Sequence, residues 1–210
     1  MNAAIRVLIA DDHTLVREGL RQLLGATPDI RVEGEATTGD QALALVKAND
    51  YDLAVLDMSM PGLSGIELIK RLRLEKPRLR LLILSMHGEA QYAARALKAG
   101  AVGYLTKDSA SAQLVGAIRK VAAGGVHISE AAAAQLVGTQ QSDAAPHTRL
   151  SNREFEVFRL LVAGRGPTEI AGQLHLSVKT VSTHKTRILE KMSMDSTAEL
   201  VRYAVANRLT

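Results

Sequence analysis

Residues 52–65 read DLAVLDMSMPGLSG. An aliphatic run, Asp52–Leu56, ends in Asp57, turns through Met60-Pro61-Gly62, and reaches Gly65, where a helical pattern begins. Three other runs have the same form. Arg6–Ala10 (RVLIA) ends in Asp11-Asp12, Arg80–Leu84 (RLLIL) ends in Ser85, and Val102–Leu105 ends in Thr106-Lys107. Short β-branched and aliphatic runs of this kind predict strands buried on both faces. A weaker, more charged strand is predicted over Arg31–Ala36. Helical spacing lies between the strands, over Leu15–Leu24, Gln41–Lys47, Ile66–Arg73, Glu89–Ala99 and Ala110–Ala123. Five βα repeats predict an α/β, doubly wound parallel sheet of flavodoxin-like type. Gly100 suits a left-handed helix end, and Gly124-Gly125 stops the last helix.

Such a sheet gathers the carboxyl ends of its strands at one edge, the usual crevice for a ligand. There it would bring together Asp11, Asp12, Asp57, Ser85 and Lys107. Three carboxylates can hold Mg²⁺, which prefers oxygen ligands, and the Met58 backbone carbonyl commonly completes such a shell. A bound cation offsets the repulsion between the Asp57 carboxylate and an incoming phosphoryl group. Lys107 would neutralise the phosphate as a point charge, and the Ser85 hydroxyl would hydrogen-bond one of its oxygens.

Composition sets the frame. The chain has 210 residues, enough for two modest domains. It has no cysteine, which excludes a disulfide framework and a cysteine zinc site. No apolar run reaches the roughly 18 residues of a membrane helix, and acidic residues follow the N-terminus too soon for a signal peptide. A cytoplasmic location, away from membranes, is the expectation. The net charge is +4: residues 1–128 contribute +2, the next stretch −2 through Glu130 and Asp143, and Arg149–Thr210 +4. The excess is therefore densest in the tail, as a nucleic-acid contact surface requires.

The boundaries read as 1–128 for the sheet domain, 129–147 for a helical extension and flexible linker, and 148–210 for an all-α domain. Glu130–Val137 continues as an alanine-rich helix, and Gly138–His147 (GTQQSDAAPH) is small, polar and Pro-containing. In the tail, Ser151-Asn152-Arg153-Glu154 is a capping box, followed by Phe155, Phe158, Leu161 and Val162 on one face. Gly166-Pro167 opens a second helix with Ile170, Ala171 and Leu174 inward. The turn His175-Leu176-Ser177 leads to a third helix, Val178–Met192, capped by Ser177; a fourth runs from Ser196 or Thr197 to Asn207. Val181, Ile188 and Met192 face the core of the third helix. Lys179, Ser182, Thr183 and Thr186 share a polar, acid-free face, and Lys185, Arg187 and Lys191 flank it.

Asp11-Asp12-His13, Leu56–Gly65, Ser85-Met86-His87 and Tyr104–Lys107 together resemble the receiver domain of two-component response regulators, over about residues 4–125. Leu150–Ala171 followed by Leu176–Met192 is similar to the LuxR-type four-helix helix-turn-helix domain. The combination resembles the NarL/FixJ class of DNA-binding transcription regulators. The resemblance implies phosphorylation of Asp57 by a sensor histidine kinase, with Ser85 shifting toward the phosphate and Tyr104 rotating inward. It implies double-stranded DNA as a partner, with Lys179, Thr180, Ser182, Thr183, Lys185, Thr186, Arg187 and Lys191 on the recognition helix. It also implies a homodimer on phosphorylation, through helices around Thr14–Leu24, Ser111–Ala123 and Thr197–Ala206, and RNA polymerase as a further partner. His13 and His87 stand outside the expected ligand set, because Mg²⁺ prefers oxygen and the family does not use them so. One departure is Gly166-Pro167-Thr168, where relatives often carry Ser-Asn-Lys; Thr168 lacks the phosphate contact a lysine offers.

Three rivals stand beside this reading. An aspartyl phosphatase normally needs a second acid two residues after the nucleophile, where Ser59 stands. A regulator that has abandoned phosphorylation would have no use for the intact acidic set. A quorum-signal receptor would need an aromatic-rich ligand domain, but aromatics are 3% of the chain. No enzyme turning over a substrate is expected.

Overall fold

Strand order is what places the site. The sheet runs β2-β1-β3-β4-β5, all pairs parallel, with β1 at Ile5–Ala10, β2 at Ile30–Ala36, β3 at Leu53–Asp57, β4 at Arg80–Ser85 and β5 at Gly103–Thr106. The order reverses between β1 and β3, so the ends of those two strands flank the crevice of a doubly wound sheet. Helices α1 (Thr14–Gly25), α2 (Gly39–Ala48), α3 (Gly65–Glu75), α4 (Ala90–Lys98) and α5 (Lys107–Ala122) connect and follow the strands. The computed structural model describes residues 4–63, 65–86, 90–129, 133, 145–174, 176–207 and 209. It divides into two compact units, Met1–Gln140 and Gln141–Thr210.

The central strands are buried on both faces because helices pack on both. Val7, Ile9, Leu53, Val55, Leu82 and Leu84 form one core with Leu20 and Leu24 of α1 and Leu114, Ile118 and Val121 of α5. The alternate residues Leu8, Leu56, Leu81 and Ile83 are equally buried on the other side. Helices α2, α3 and α4 lie in contact in that order. Between Val7 and Leu8 the β1–β2 register slips by one residue. The slip leaves Glu33 of β2 without a facing residue on β1.

The sequence reading differs from the structure at one end that matters. The last helix was expected from Ala110, but α5 begins at Lys107, because Thr106 caps it: its hydroxyl accepts from the Ser109 N–H at 3.3 Å. Asp57 and Ser85 are the last residues of their strands, as the sequence reading has them. The expected extension over Glu130–Val137 and most of the linker Gly138–His147 lie outside the described residues, apart from Ala133. So do His87, Glu89 and His175.

The tail unit holds four helices, α6 (Asn152–Val162), α7 (Pro167–Gln173), α8 (Val178–Met192) and α9 (Thr197–Ala206), after a 3₁₀ turn at Pro146–Arg149. Its core stacks Phe155 on Phe158 at 5.8 Å, with Val157, Ile170, Val181, Ile188, Met192 and Leu200 buried around them. Pro146 and His147, read from the sequence as linker, belong to this unit. Pro146 opens the 3₁₀ turn, and His147 Nδ1 lies 2.6 Å from the Tyr203 hydroxyl. Ser151, Ser177 and Ser196 cap their helices as hydroxyl acceptors.

One close approach holds the loop after Asp57. The N-terminus of α2 abuts residues 61–63: the Gly39 N–H points to the Pro61 carbonyl at 3.5 Å, and Asp40 Oδ2 accepts from the Leu63 N–H at 3.2 Å. A Cβ on Gly39 would fall 1.5 Å from the Leu63 carbonyl oxygen. Backbone cannot yield as a side-chain tip can, so Gly39→Ala should cost about 3 kcal/mol, at the upper end for overpacking. Hydrogen exchange at the α2 amides of the full chain checks this: protection there should fall in the variant.

Candidate functional site

The strand ends bring the predicted residues together. Asp11, Asp57 and Ser85 are all buried, an arrangement that ionised groups tolerate only when paired. Lys107 supplies the pairing: its Nζ lies 2.7 Å from Asp11 Oδ2 and 2.9 Å from Asp57 Oδ2. The second contact is a hydrogen bond; the first has ion-pair distance without hydrogen-bond alignment. Burial pushes the Asp57 carboxyl above its ordinary value, with Asp11 adding to the rise and Lys107 opposing it. Burial alone would lower the Lys107 ammonium, but the contacts with Asp11 and Asp57 outweigh it and hold the ammonium above its ordinary value.

Backbone donors complete the pocket. The Ser59 N–H donates to Asp57 Oδ1 at 3.2 Å, and the His13 N–H donates to Asp11 Oδ1 at 2.8 Å. Arg17, on α1, donates to the Asp11 carbonyl at 2.9 Å, tying the strand end to the helix. Asp11, Asp12, His13 and Asp57 each offer one ligand atom within 4.8 Å of the others. Asp12 Oδ1 is shielded from solvent with no hydrogen-bond partner among the described residues, as a cation ligand without its cation would be. The donor set therefore fits a divalent cation. Ser85 pairs across the sheet with Thr106, beside Lys107. Tyr104 points into the interior, 7% exposed. Met58 follows directly and is buried.

In the tail unit, Lys179, Ser182, Thr183, Thr186 and Arg187 are exposed along one side of α8, while Thr180 and Lys185 are half-buried. The hydroxyls of Ser182, Thr183 and Thr186 donate back to the carbonyls of Val178, Lys179 and Ser182 at 3.0, 3.0 and 3.2 Å. Lys191 is placed differently from the rest of the expected set. Its Nζ lies 2.6 and 2.9 Å from the carboxylate oxygens of Glu154, a buried acid at the start of α6. Nothing in the sequence marked Glu154 as more than a cap, because its partner lies 37 residues away.

Residues 7–119 match the family described as response regulator receiver domain, and residues 148–204 match the bacterial regulatory proteins of the luxR family. The chain belongs to both families. It is a response regulator: a receiver domain joined to a LuxR-type DNA-binding domain, the composition of a transcription regulator. It is 35% identical to the response regulator UvrY of Escherichia coli K12 over 98% of this chain and 95% of that one. It is 34% identical to the transcriptional regulatory protein LiaR of Bacillus subtilis over 98% and 99%. Among solved structures, RcsB of Salmonella typhimurium superposes with a TM-score of 0.64 at 28% identity, covering 98% of each chain. An RcsB–DNA complex gives 0.61 at 29% identity, covering 96% of this chain and 98% of that one. Among the described residues of this response regulator, no helix is long and apolar enough to cross a membrane.

The Glu154–Lys191 pair makes a stability prediction. Burial alone would raise the Glu154 carboxyl, but Lys191 and the Ser151 donors outweigh it and hold it below the usual range. A depressed folded pKa stabilises above the unfolded value, and that contribution is lost as pH falls through the folded one. The tail unit should therefore weaken below about pH 4.5, and Lys191→Ala should destabilise it by about 1 kcal/mol, less than the roughly 1.5–3 kcal/mol of a hydrogen bond to a charged group because the lysine side chain is 42% exposed. Thermal unfolding of wild type and variant across pH 3–6 checks this; the two curves should converge at the acid end.

Proposed function

We propose that phosphorylation of Asp57 by a sensor histidine kinase switches DNA binding by this regulator. The observation that carries the reading is the Lys107 ammonium 2.9 Å from Asp57 Oδ2, beside carboxylates that lack enough positive charge of their own. Asp11, Asp12, Asp57 and the Met58 carbonyl would hold Mg²⁺. When bound, that ion supplies positive charge against the phosphoryl oxygens. The bond from phosphorus to a kinase histidine nitrogen breaks as a bond from phosphorus to an Asp57 oxygen forms. Lys107, already released from solvent, then pairs with the phosphate, and Ser85 donates its hydroxyl to a phosphate oxygen. Positioning and charge neutralisation supply the acceleration, with no turnover of a separate substrate. Coupling follows from Lys107: a new dianion competes with Asp11 for it, and β5, which leads into Lys107, carries Tyr104.

The DNA-binding reading rests on α8. Lys179, Lys185 and Arg187 are assigned to phosphates, and Thr180, Ser182, Thr183 and Thr186 to the groove edge. Because their hydroxyl protons point back to the helix, Ser182, Thr183 and Thr186 offer acceptors outward, suited to the amino groups of adenine and cytosine. Lys191 is reassigned from phosphate contact to helix anchor, through Glu154. Leu15 on α1 and Val205 on α9 are 84% and 63% exposed, which supports the expected dimer surfaces. A homodimer on two half-sites, action on RNA polymerase and a cytoplasmic setting belong to the same reading.

Two experiments test it. Incubation with a small acyl-phosphate donor and Mg²⁺ should add one phosphoryl group to wild type by intact mass, and none to Asp57→Asn. Retention of the group by the variant would overturn the assignment. In DNA-binding titrations over a salt series, Lys179→Ala should reduce the slope of log affinity against log salt by about 0.9. Lys191→Ala should leave that slope unchanged, which separates anchor from contact.

A further inference from the structure

His13 takes no part in the chemistry above, yet its ring lies in the pocket. It is the residue before α1, the position where a side chain normally caps the helix, but it makes no cap hydrogen bond. Its imidazole is turned to the carboxylates instead. Nδ1 lies 3.0 Å from Asp12 Oδ1, 3.2 Å from Asp11 Oδ1 and 3.8 Å from Asp57 Oδ2.

These separations have a geometric meaning. In an octahedral shell with bonds of about 2.1 Å, adjacent ligands stand about 3.0 Å apart and opposite ligands about 4.2 Å apart. The Asp11 and Asp12 distances are those of neighbouring vertices, and the Asp57 distance falls between the two classes. Nor is the Asp12 contact explained as a hydrogen bond. Asp12 Oδ1 sits 3.0 Å from the ring nitrogen, is shielded from solvent, and has no hydrogen-bond partner among the described residues. The two atoms thus stand as close as adjacent ligands of one cation do. The contact with Asp11 does have hydrogen-bond geometry, with Nδ1–H donating to the carboxylate; a cation bound at Nδ1 displaces that proton.

The geometry points to His13 as a fourth side-chain ligand, making this pocket a mixed nitrogen–oxygen site for a first-row transition cation such as Mn²⁺ or Co²⁺. The inference rests on the cation pocket of the proposed function and adds its selectivity. An all-oxygen shell suits Mg²⁺, whereas imidazole favours the transition series, with affinity rising from Mn²⁺ to Co²⁺. The His13 side chain is 60% exposed, so replacing it removes a ligand without opening a core.

The test is cation binding to the full chain, free of any phosphodonor. Wild type and His13→Ala are titrated with Mg²⁺, Mn²⁺ and Co²⁺ by calorimetry, and the Mn²⁺ forms are examined by pulsed electron paramagnetic resonance for nitrogen coupling. The expected result is nitrogen coupling in wild type that vanishes in His13→Ala. The Co²⁺-to-Mg²⁺ affinity ratio should also fall by about tenfold or more, the scale on which lost ligand interactions weaken metal sites. Cation binding in wild type without nitrogen coupling, and with an equal ratio in both proteins, overturns the role of His13 and leaves the pocket intact. Failure of wild type to bind any of the three cations overturns the pocket itself, and the inference with it.

Discussion

Everything at the sheet edge depends on one ammonium among carboxylates. Asp11 and Asp57 are carried into the interior by their strands, where a buried polar group needs a partner. Lys107 makes the arrangement tolerable by reaching both, at 2.7 and 2.9 Å. It can do so because Thr106 caps α5 at the strand end, which fixes Lys107 as the first helical residue rather than part of a loop. One positive charge against this acidic set leaves a deficit of positive charge, and that deficit makes the pocket receptive to cations. The fold thus stores an electrostatic imbalance whose relief is its input.

The loop after Asp57 is the second dependency. Asp57 Oδ1 is steadied by Ser59, and four residues later Leu63 is clasped by Asp40. Gly39 and Gly62 are there because neither position has room: a Cβ on Gly62 would lie 2.3 Å from Asp40 Oδ2, and its φ is +75°. The loop after Asp57 is therefore gripped from the neighbouring helix.

The sheet and the acidic pocket were legible because parallel strands announce themselves as continuous aliphatic runs, and because those runs give way at their carboxyl ends to Asp11-Asp12, Asp57, Ser85 and Thr106-Lys107. Asp11, Asp12, Asp57, Ser85 and Lys107 could be read off that rule. The core of α8 was legible for the same reason, Val181, Ile188 and Met192 recurring at helical spacing. Three features were not. The pairing of Glu154 with Lys191 joins residues with no local pattern between them, so Lys191 looked like one more cation on a basic helix. The clasp of Asp40 on Leu63 depends on the approach of two loops. The aim of the His13 ring depends on a side-chain torsion, and residue type alone argued for oxygen ligands.

The backward-turned hydroxyls of α8 have a consequence best put as information. On the proposed reading of α8, a surface of small acceptors separates bases that offer an amino group from those that do not, which is a binary distinction at each position. Three such positions on one helix would encode little more than a short pattern of yes and no, too short to single out an address in a genome. A second copy of the same helix doubles the message length, and the fixed spacing between copies adds a further symbol. On this view, pairing is part of how the regulator spells its target rather than only a way of holding it more tightly.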